Sequence, residues 1–581
     1  MKFVYMLVFL VSAFSLAFAT DIDSCMALNV PGSTYTLTGN VYSNTTCFTV
    51  AAPGVTLDCN GFSITGDNMS GMYAPIHDKP VEFIYGIYSE LDGTVIKNCV
   101  ISNFGSGIRF EDVYNGLIFN STVSSTAEMS DSIDIERSSN INISNVKAYS
   151  DKRAAIMLHE SKFNSISDST GKSRLDTGLS VWISDNNLIS NYTGSSAGSE
   201  GIWLQGSSNN IISNSVGISN YDGMSYMSDG IAFTYGSDNN RLYNSIWKAK
   251  TGFGITLSNS INNILDNCTG TSETGVADTQ RGAGILLAWV TTGSIITNST
   301  AIGSPYSYGI FFDEKSANNT LYGSTITAGS SPAVYLFGSL ANRIIQNNIR
   351  GRHAISVQSS NYAVDQYNLR FPNDTVQAYC DNNVFLGNNI TSDNWVDNTG
   401  RGNIFNDSTH GNIYYFANGT PSWQVYNISD TDRNNYADVG SDMPFSKDKT
   451  GNNWAGIGAD WHPYSLNQIG EQNMAPPTMP SESNSNIKNN ASAIRQPAKQ
   501  NEAEKDKNTP QPATTSENSA NTSSEENAKP AEKPRATTNE PSTTNDNPKS
   551  PPAVPSRPSK PQQGLIEGFM CFFLQLFGRA C

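Results

Sequence analysis

Apolar and polar positions alternate along most of this chain in short bursts, each opening on a small residue. In "GIWLQ", which begins at Gly201, Ile202 and Leu204 are apolar, while Trp203 and Gln205 fall on the other side. A two-residue period of this kind predicts a strand with one buried face. The following "SSNNIISN" holds a second short strand after a turn. The same phrase recurs from Gly86 through Gly107, Ser132, Ala155, Gly178, Gly201, Gly230, Gly254, Gly284, Gly309, Ala333 and Ala354, at spacings of 21 to 30 residues. Such a period marks a solenoid. No stretch shows the apolar period of a helix, and the fixed leucine frame of leucine-rich repeats is missing. The pattern predicts an all-β parallel β-helix of about 12 or more coils.

Paired asparagines follow most of these strands: Asn186-Asn187, Asn209-Asn210, Asn239-Asn240, Asn262-Asn263 and Asn318-Asn319. Asn tolerates the left-handed backbone that a corner requires, and amides stacked from coil to coil can bond into a ladder. The cysteines fit the same register. Aligning Val55 of "GVTLDCNG" with Val95 of "GTVIKNCV" puts Cys59 and Cys99 at one offset in adjacent coils. Adjacent strands lie about 4.8 Å apart, within reach of a disulfide. The expected pairs are Cys59–Cys99 and Cys25–Cys47. Cys268 shares the offset but sits many coils away and is expected as a buried thiol.

Composition changes the picture mainly at the ends. Residues 1–19 read as a signal peptide: Lys2, an apolar run from Phe3 to Phe18, and a closing Ala17-Phe18-Ala19. The eight cysteines and about fifteen N-x-[ST] sequons suit an exported, cell-surface glycoprotein. The formal charge of −16 argues against nucleic acid as a partner. Residues 20–54 are read as an N-terminal cap, 55–370 as the repeats and 371–467 as the C-terminal end. Residues 468–563, rich in Pro, Ser, Thr and Asn, read as a disordered stalk. The tail 564–581, "GLIEGFMCFFLQLFGRAC", is too short to span a bilayer as a helix. It could lie on a membrane or dock on a partner protein.

The Gly-Ile-x-aliphatic strand followed by S-x-N-N-x-I-x-x-N resembles the right-handed parallel β-helix repeats of the NosD-like family, within the pectate-lyase-like superfamily. "LDCNGFSITG" and "DWHPY" resemble its secreted surface members. The resemblance spans about residues 25–465 and implies the fold, with right-handed coils; it implies little about activity. The family name implies copper, but the five His of this chain form no metal-like cluster. Polygalacturonase signatures (N-T-D, D-D, G-H-G, R-I-K) and the D-P-H motif of uronan epimerases are absent.

Candidate chemistry emerges from the repeat register. Four residues past each anchor stand Glu90, Glu111, Glu136, His159, Trp182 and Gln205; two past it stand Tyr88, Arg109, Asp134, Met157, Ser180 and Trp203. The early coils thus expose a carboxylate column beside Arg109, with aromatic rings just beyond. Stacked Glu should repel, so a bridging cation or a retained proton is expected. Indole faces suit sugar rings. The residues expected to bind ligand are Glu90, Arg109, Asp134, Trp182, Trp203 and Gln205; for catalysis the candidates are Glu111, Glu136 and His159. Carbohydrate binding or adhesion in the cell envelope is the leading expectation. Two alternatives stand beside it: a polysaccharide lyase, hydrolase or epimerase, and a purely structural rod whose exposed Glu are ordinary surface residues. A second candidate is "DTDRNNYAD", where Asp430, Asp432, Asn434, Tyr436 and Asp438 fall at the ligand spacings of a calcium loop. Asn435 takes the place of the turn glycine, and the final acid of the motif is replaced by Ser441. An ordinary Asx-rich turn is the alternative there.

Overall fold

The structure, a computed structural model, describes residues 19–67, 84–127, 131–222, 228–274, 282–359 and 379–467. The segment expected as a signal peptide (up to residue 18), the expected stalk and the apolar tail lie outside the described residues. Three parallel sheets of 15, 15 and 16 strands run the length of the coil, each strand pairing with its counterpart one turn earlier and one turn later. Strands begin at Ala19–Ile22, which pairs with Thr34–Leu37, and end at Trp454–Gly456. Residues 20–54 therefore already supply strands to all three sheets, and the coil continues past residue 370.

The alternation read from the sequence is the burial pattern. Ile202 and Leu204 are fully buried, whereas Trp203 and Gln205 are half-buried on the outer face. Each buried aliphatic side chain contributes about 1.5–3 kcal/mol before entropy is counted. The small anchors have a steric cause. A Cβ on Gly201 would stand 2.4 Å from the backbone nitrogen of Ile218 and 2.7 Å from the carbonyl oxygen of Gly230.

The paired asparagines divide the labour. Asn186, Asn209, Asn239, Asn262 and Asn318 adopt left-handed backbone, with φ between 57° and 60°. Their successors turn inward. The N–H of Asn187 donates to Oδ1 of Asn210, that of Asn210 to Asn240 and that of Asn240 to Asn263, each at 2.8 Å. A second ladder, Asn347 to Asn388 to Asn412, runs at the next corner. It ends on the buried Asp460, whose Oδ2 accepts the N–H of Asn412 at 2.9 Å and the hydroxyl of Tyr414 at 3.0 Å.

Both disulfides form as expected. Cys25–Cys47 has a Cα separation of 4.6 Å and Cys59–Cys99 one of 4.8 Å, the spacing of adjacent coils. Cys268 is a free buried thiol, and so is Cys380. Beyond Tyr415 the regular coils give way to isolated antiparallel bridges, such as Ser429 with Val439 and Tyr436 with Tyr464, which close the C-terminal end.

Candidate functional site

The outer face of the 16-stranded sheet places the expected column in register. Tyr88, Arg109, Asp134, Met157, Ser180 and Trp203 pair in sequence from coil to coil, and so do Glu111, Glu136, His159, Trp182 and Gln205. Glu90 follows the strand Tyr85–Ser89 directly.

Mutual repulsion does not set the state of these carboxylates. Arg109 is ion-paired with Glu111 at 3.2 Å and also with Asp134 and Glu136. Arg137, whose backbone is left-handed at φ 46°, reaches back to Glu111, Glu136 and Asp112. The hydroxyl of Tyr88 donates to Glu90 and, at 3.2 Å, to Glu111. Partial burial pushes Glu111 upward, but the two guanidinium groups outweigh it and hold the carboxyl below its ordinary range. The proton expected on a stacked Glu is therefore not held at Glu111. Asp134 is instead the group pushed up, by burial, against the pull of Arg109.

The aromatic part lies on the next coils. The imidazole of His159 stacks on the indole of Trp182, with ring centroids 4.4 Å apart and planes 8° from parallel. Trp203 Nε1 donates to Thr234 Oγ1 at 2.9 Å, which fixes the second indole one coil further. All three rings are half-buried, and the stacking covers the facing sides of His159 and Trp182. At the other end of the column, Tyr85 and Tyr88 stack at 5.1 Å, and Arg109 lies 5.9 Å over the Tyr85 ring. In later coils part of this face is apolar and buried: Leu286, Phe311 and Phe337 cluster with Phe253 and Tyr308.

Sequence reading missed a second set of acids at the strand entry. Asp131, Glu200 and Asp229 each directly precede a small anchor and are buried. Burial raises all three, Glu200 to about 7 and Asp229 well above its usual range. Glu200 accepts the hydroxyl of Ser199, and Asp229 accepts the N–H of Phe253 at 3.1 Å. An acid immediately before the anchor was the available signal.

The sequence profile described as "Periplasmic copper-binding protein (NosD)" matches residues 24–192 and 60–228, and that of the "Right handed beta helix region" matches 177–349. The chain belongs to the right-handed β-helix repeat family. Among solved structures it is similar to the A-module of a mannuronan C-5 epimerase of Azotobacter vinelandii, at 12% identity and TM-score 0.34, covering 66% of this chain and 91% of that one. It is also similar to DFA-IIIase of Arthrobacter chlorophenolicus, at 11% identity and TM-score 0.30, covering 52% and 81%. The catalytic domain of an α-1,3-glucanase gives 14% identity and TM-score 0.26, covering 68% and 63%. Likenesses this distant carry no argument about activity. No curated protein matches the sequence.

The copper of the family description does not fit this β-helix chain. Among the described residues the three-ligand group is Asp430, Asp432 and Asp438, whose carboxylate oxygens lie within 4.8 Å of one another. Such hard oxygens suit calcium or magnesium rather than copper. Donors of the loop itself engage these acids, as they also would in an ordinary Asx-rich turn. Asp430 accepts the N–H groups of Arg433 at 2.7 Å and Asn435 at 2.8 Å, and Asn435 takes φ 70° where the motif has glycine. Asn434 instead accepts the N–H of Tyr436, and the neighbouring Asp442 is turned to the N–H of Asn427.

Proposed function

We propose that this protein is an exported surface rod that binds a glycan on the early coils of its 16-stranded sheet. The observation that carries the reading is the pair of indoles on adjacent strands: Trp182, stacked on one side against His159, and Trp203, fixed one coil beyond. Indole surface on adjacent strands suits the apolar faces of sugar rings. Gln205 and the carboxylates offer acceptors and donors at the edges. Export and surface location are supported by the two disulfides.

Charge narrows the glycan. Glu90, Glu111, Asp112, Asp134, Glu136 and Glu160 outnumber the neighbouring Arg109, Arg137 and Arg153, all already paired with carboxylates. A polyuronate would meet net repulsion, so the ligand is a neutral or amino-sugar glycan. Catalysis by Glu111 or Glu136 is the weaker reading. A general acid must keep its proton near neutral pH, and the arginines favour the ionised form of Glu111. The Asp430, Asp432 and Asp438 loop is read as a structural calcium site. Comparing the wild type with Trp182→Ala Trp203→Ala on neutral and uronate glycans tests the binding reading. Loss of neutral-glycan binding supports it, and binding unchanged by both substitutions refutes it.

A further inference from the structure

The "DWHPY" segment contributes to the closing end of the coil, and three of its residues have structural duties. Asp460 ends the asparagine ladder, Tyr464 is buried, and the carbonyl of Pro463 accepts the N–H of Ala437. Trp461 has none of that kind: its side chain is 58% exposed. An exposed indole offers an apolar face to a ligand. Its backbone is nevertheless pinned on both sides. The N–H of Trp461 donates to Asn406 Oδ1 at 3.1 Å, and that of His462 to Asp460 Oδ1 at 3.0 Å. The ring is thus presented from a fixed support.

Trp461 forms one wall of a groove of about 470 Å³, with His462, Asn406, Asp407 and Ser408 around it and Asp438 and Met443 opposite. This volume falls in the range of small-ligand sites. No Lys or Arg lines it. The Asp407 carboxylate is fixed in place by the N–H groups of Thr409 and His410, each at 2.7 Å. His462 Nδ1 is buried and has no hydrogen-bond partner among the described residues.

We propose that this groove is a second saccharide site, in which Trp461 carries the face of a neutral hexose and Asp407, Asn406 and His462 bond its hydroxyls. One exposed indole beside fixed acceptors is what a pyranose needs: an apolar face against the ring and charge-assisted bonds to its edge. The Asp407 carboxylate, in a lining without Lys or Arg, disfavours uronates and phosphosugars. A single aromatic wall is too little for an aromatic cage around a quaternary ammonium. The site lies at the C-terminal end of the coil, separate from the early-coil face, and stands independently of it.

The test titrates the full chain with maltotriose, cellotriose, mannotriose and chitotriose, and with trigalacturonate as the anionic control, followed by calorimetry. Wild type, Trp461→Ala, Asp407→Asn and Trp182→Ala Trp203→Ala are compared. The expected result is that at least one neutral trisaccharide saturates in the wild type, weakens about tenfold or more in Trp461→Ala, weakens in Asp407→Asn, and retains a saturable component in the double variant. Trigalacturonate does not bind at the groove. Because Trp461 is exposed, its replacement leaves the unfolding midpoint unchanged. No neutral binding up to 10 mM, or binding that Trp461→Ala does not alter, overturns the proposal. Loss confined to the double variant assigns all binding to the early-coil face and overturns it equally.

Discussion

Arg109 and Asp134 stand opposite each other on adjacent strands, and the guanidinium of the first closes on the carboxylate of the second where both are largely shielded from water. That pair is the hub of the acidic face, since the same guanidinium also holds Glu111 and Glu136. Removing Arg109 alone strands a buried charge. Arg109→Met should lower stability by about 3–5 kcal/mol, and Arg109→Met Asp134→Asn should recover a large part of it. Denaturant midpoints of the two variants check this; equal losses would show that Asp134 is not the stranded group.

Acidity should stabilise the protein down to about pH 4. Burial raises Glu200 and Asp460 to about 7 each, and raises Asp131 and Asp229. Between the unfolded values near 4 and the raised folded values, the folded chain binds protons that the unfolded chain releases, so stability falls as pH rises through this window. Glu200 and Asp460 each account for on the order of 3 kcal/mol. The lowered acids Glu111, Asp407 and Asp438 act oppositely, and their contribution is lost only as pH falls through their folded values. Thermal midpoints should peak near pH 5 rather than pH 8, and Asp460→Asn should flatten the slope.

What could be read from the sequence follows from which features repeat. Trp203 and Gln205 were placed on the outer face because a strand has a period of two, and Cys59 and Cys99 were paired because coils share one offset. Arg137 was not foreseen. It sits at a corner beyond the strand, where its backbone angle aims the side chain back at Glu111, and no strand rule reports that. Asp131, Glu200 and Asp229 are not legible in this way, because a single acid before a small residue looks like an ordinary turn. Asp460 was seen only as part of a motif; its role depends on ladder partners far away in sequence.

The Cys59–Cys99 bond joins residues 40 apart in sequence and ties two coils near the N-terminal end. Its loss in Cys59→Ala Cys99→Ala should cost about 2–4 kcal/mol. The solenoid should then open from that end, and hydrogen exchange should quicken first in the coils around Val55 and Val95. Uniform exchange along the whole coil would contradict this.

Calcium should stabilise the C-terminal end through Asp430, Asp432 and Asp438. Adding 1 mM calcium to chelator-treated protein, roughly a hundredfold excess over a site of about 10 µM affinity, should add about 2.7 kcal/mol. Asp430→Asn should abolish the shift. An identical shift in that variant would place the ion elsewhere.

The central claim is that the early-coil face holds a glycan on Trp182 and Trp203. The most direct measurement is binding of the full chain to a broad array of neutral, amino-sugar and uronate glycans, in parallel with Trp182→Ala Trp203→Ala. The account predicts binding to at least one neutral or amino-sugar glycan, weakened tenfold or more in the double variant, and none to polyuronates. A blank array, or binding indifferent to both indoles, would contradict it and leave the acidic column as the solvated side of a structural rod.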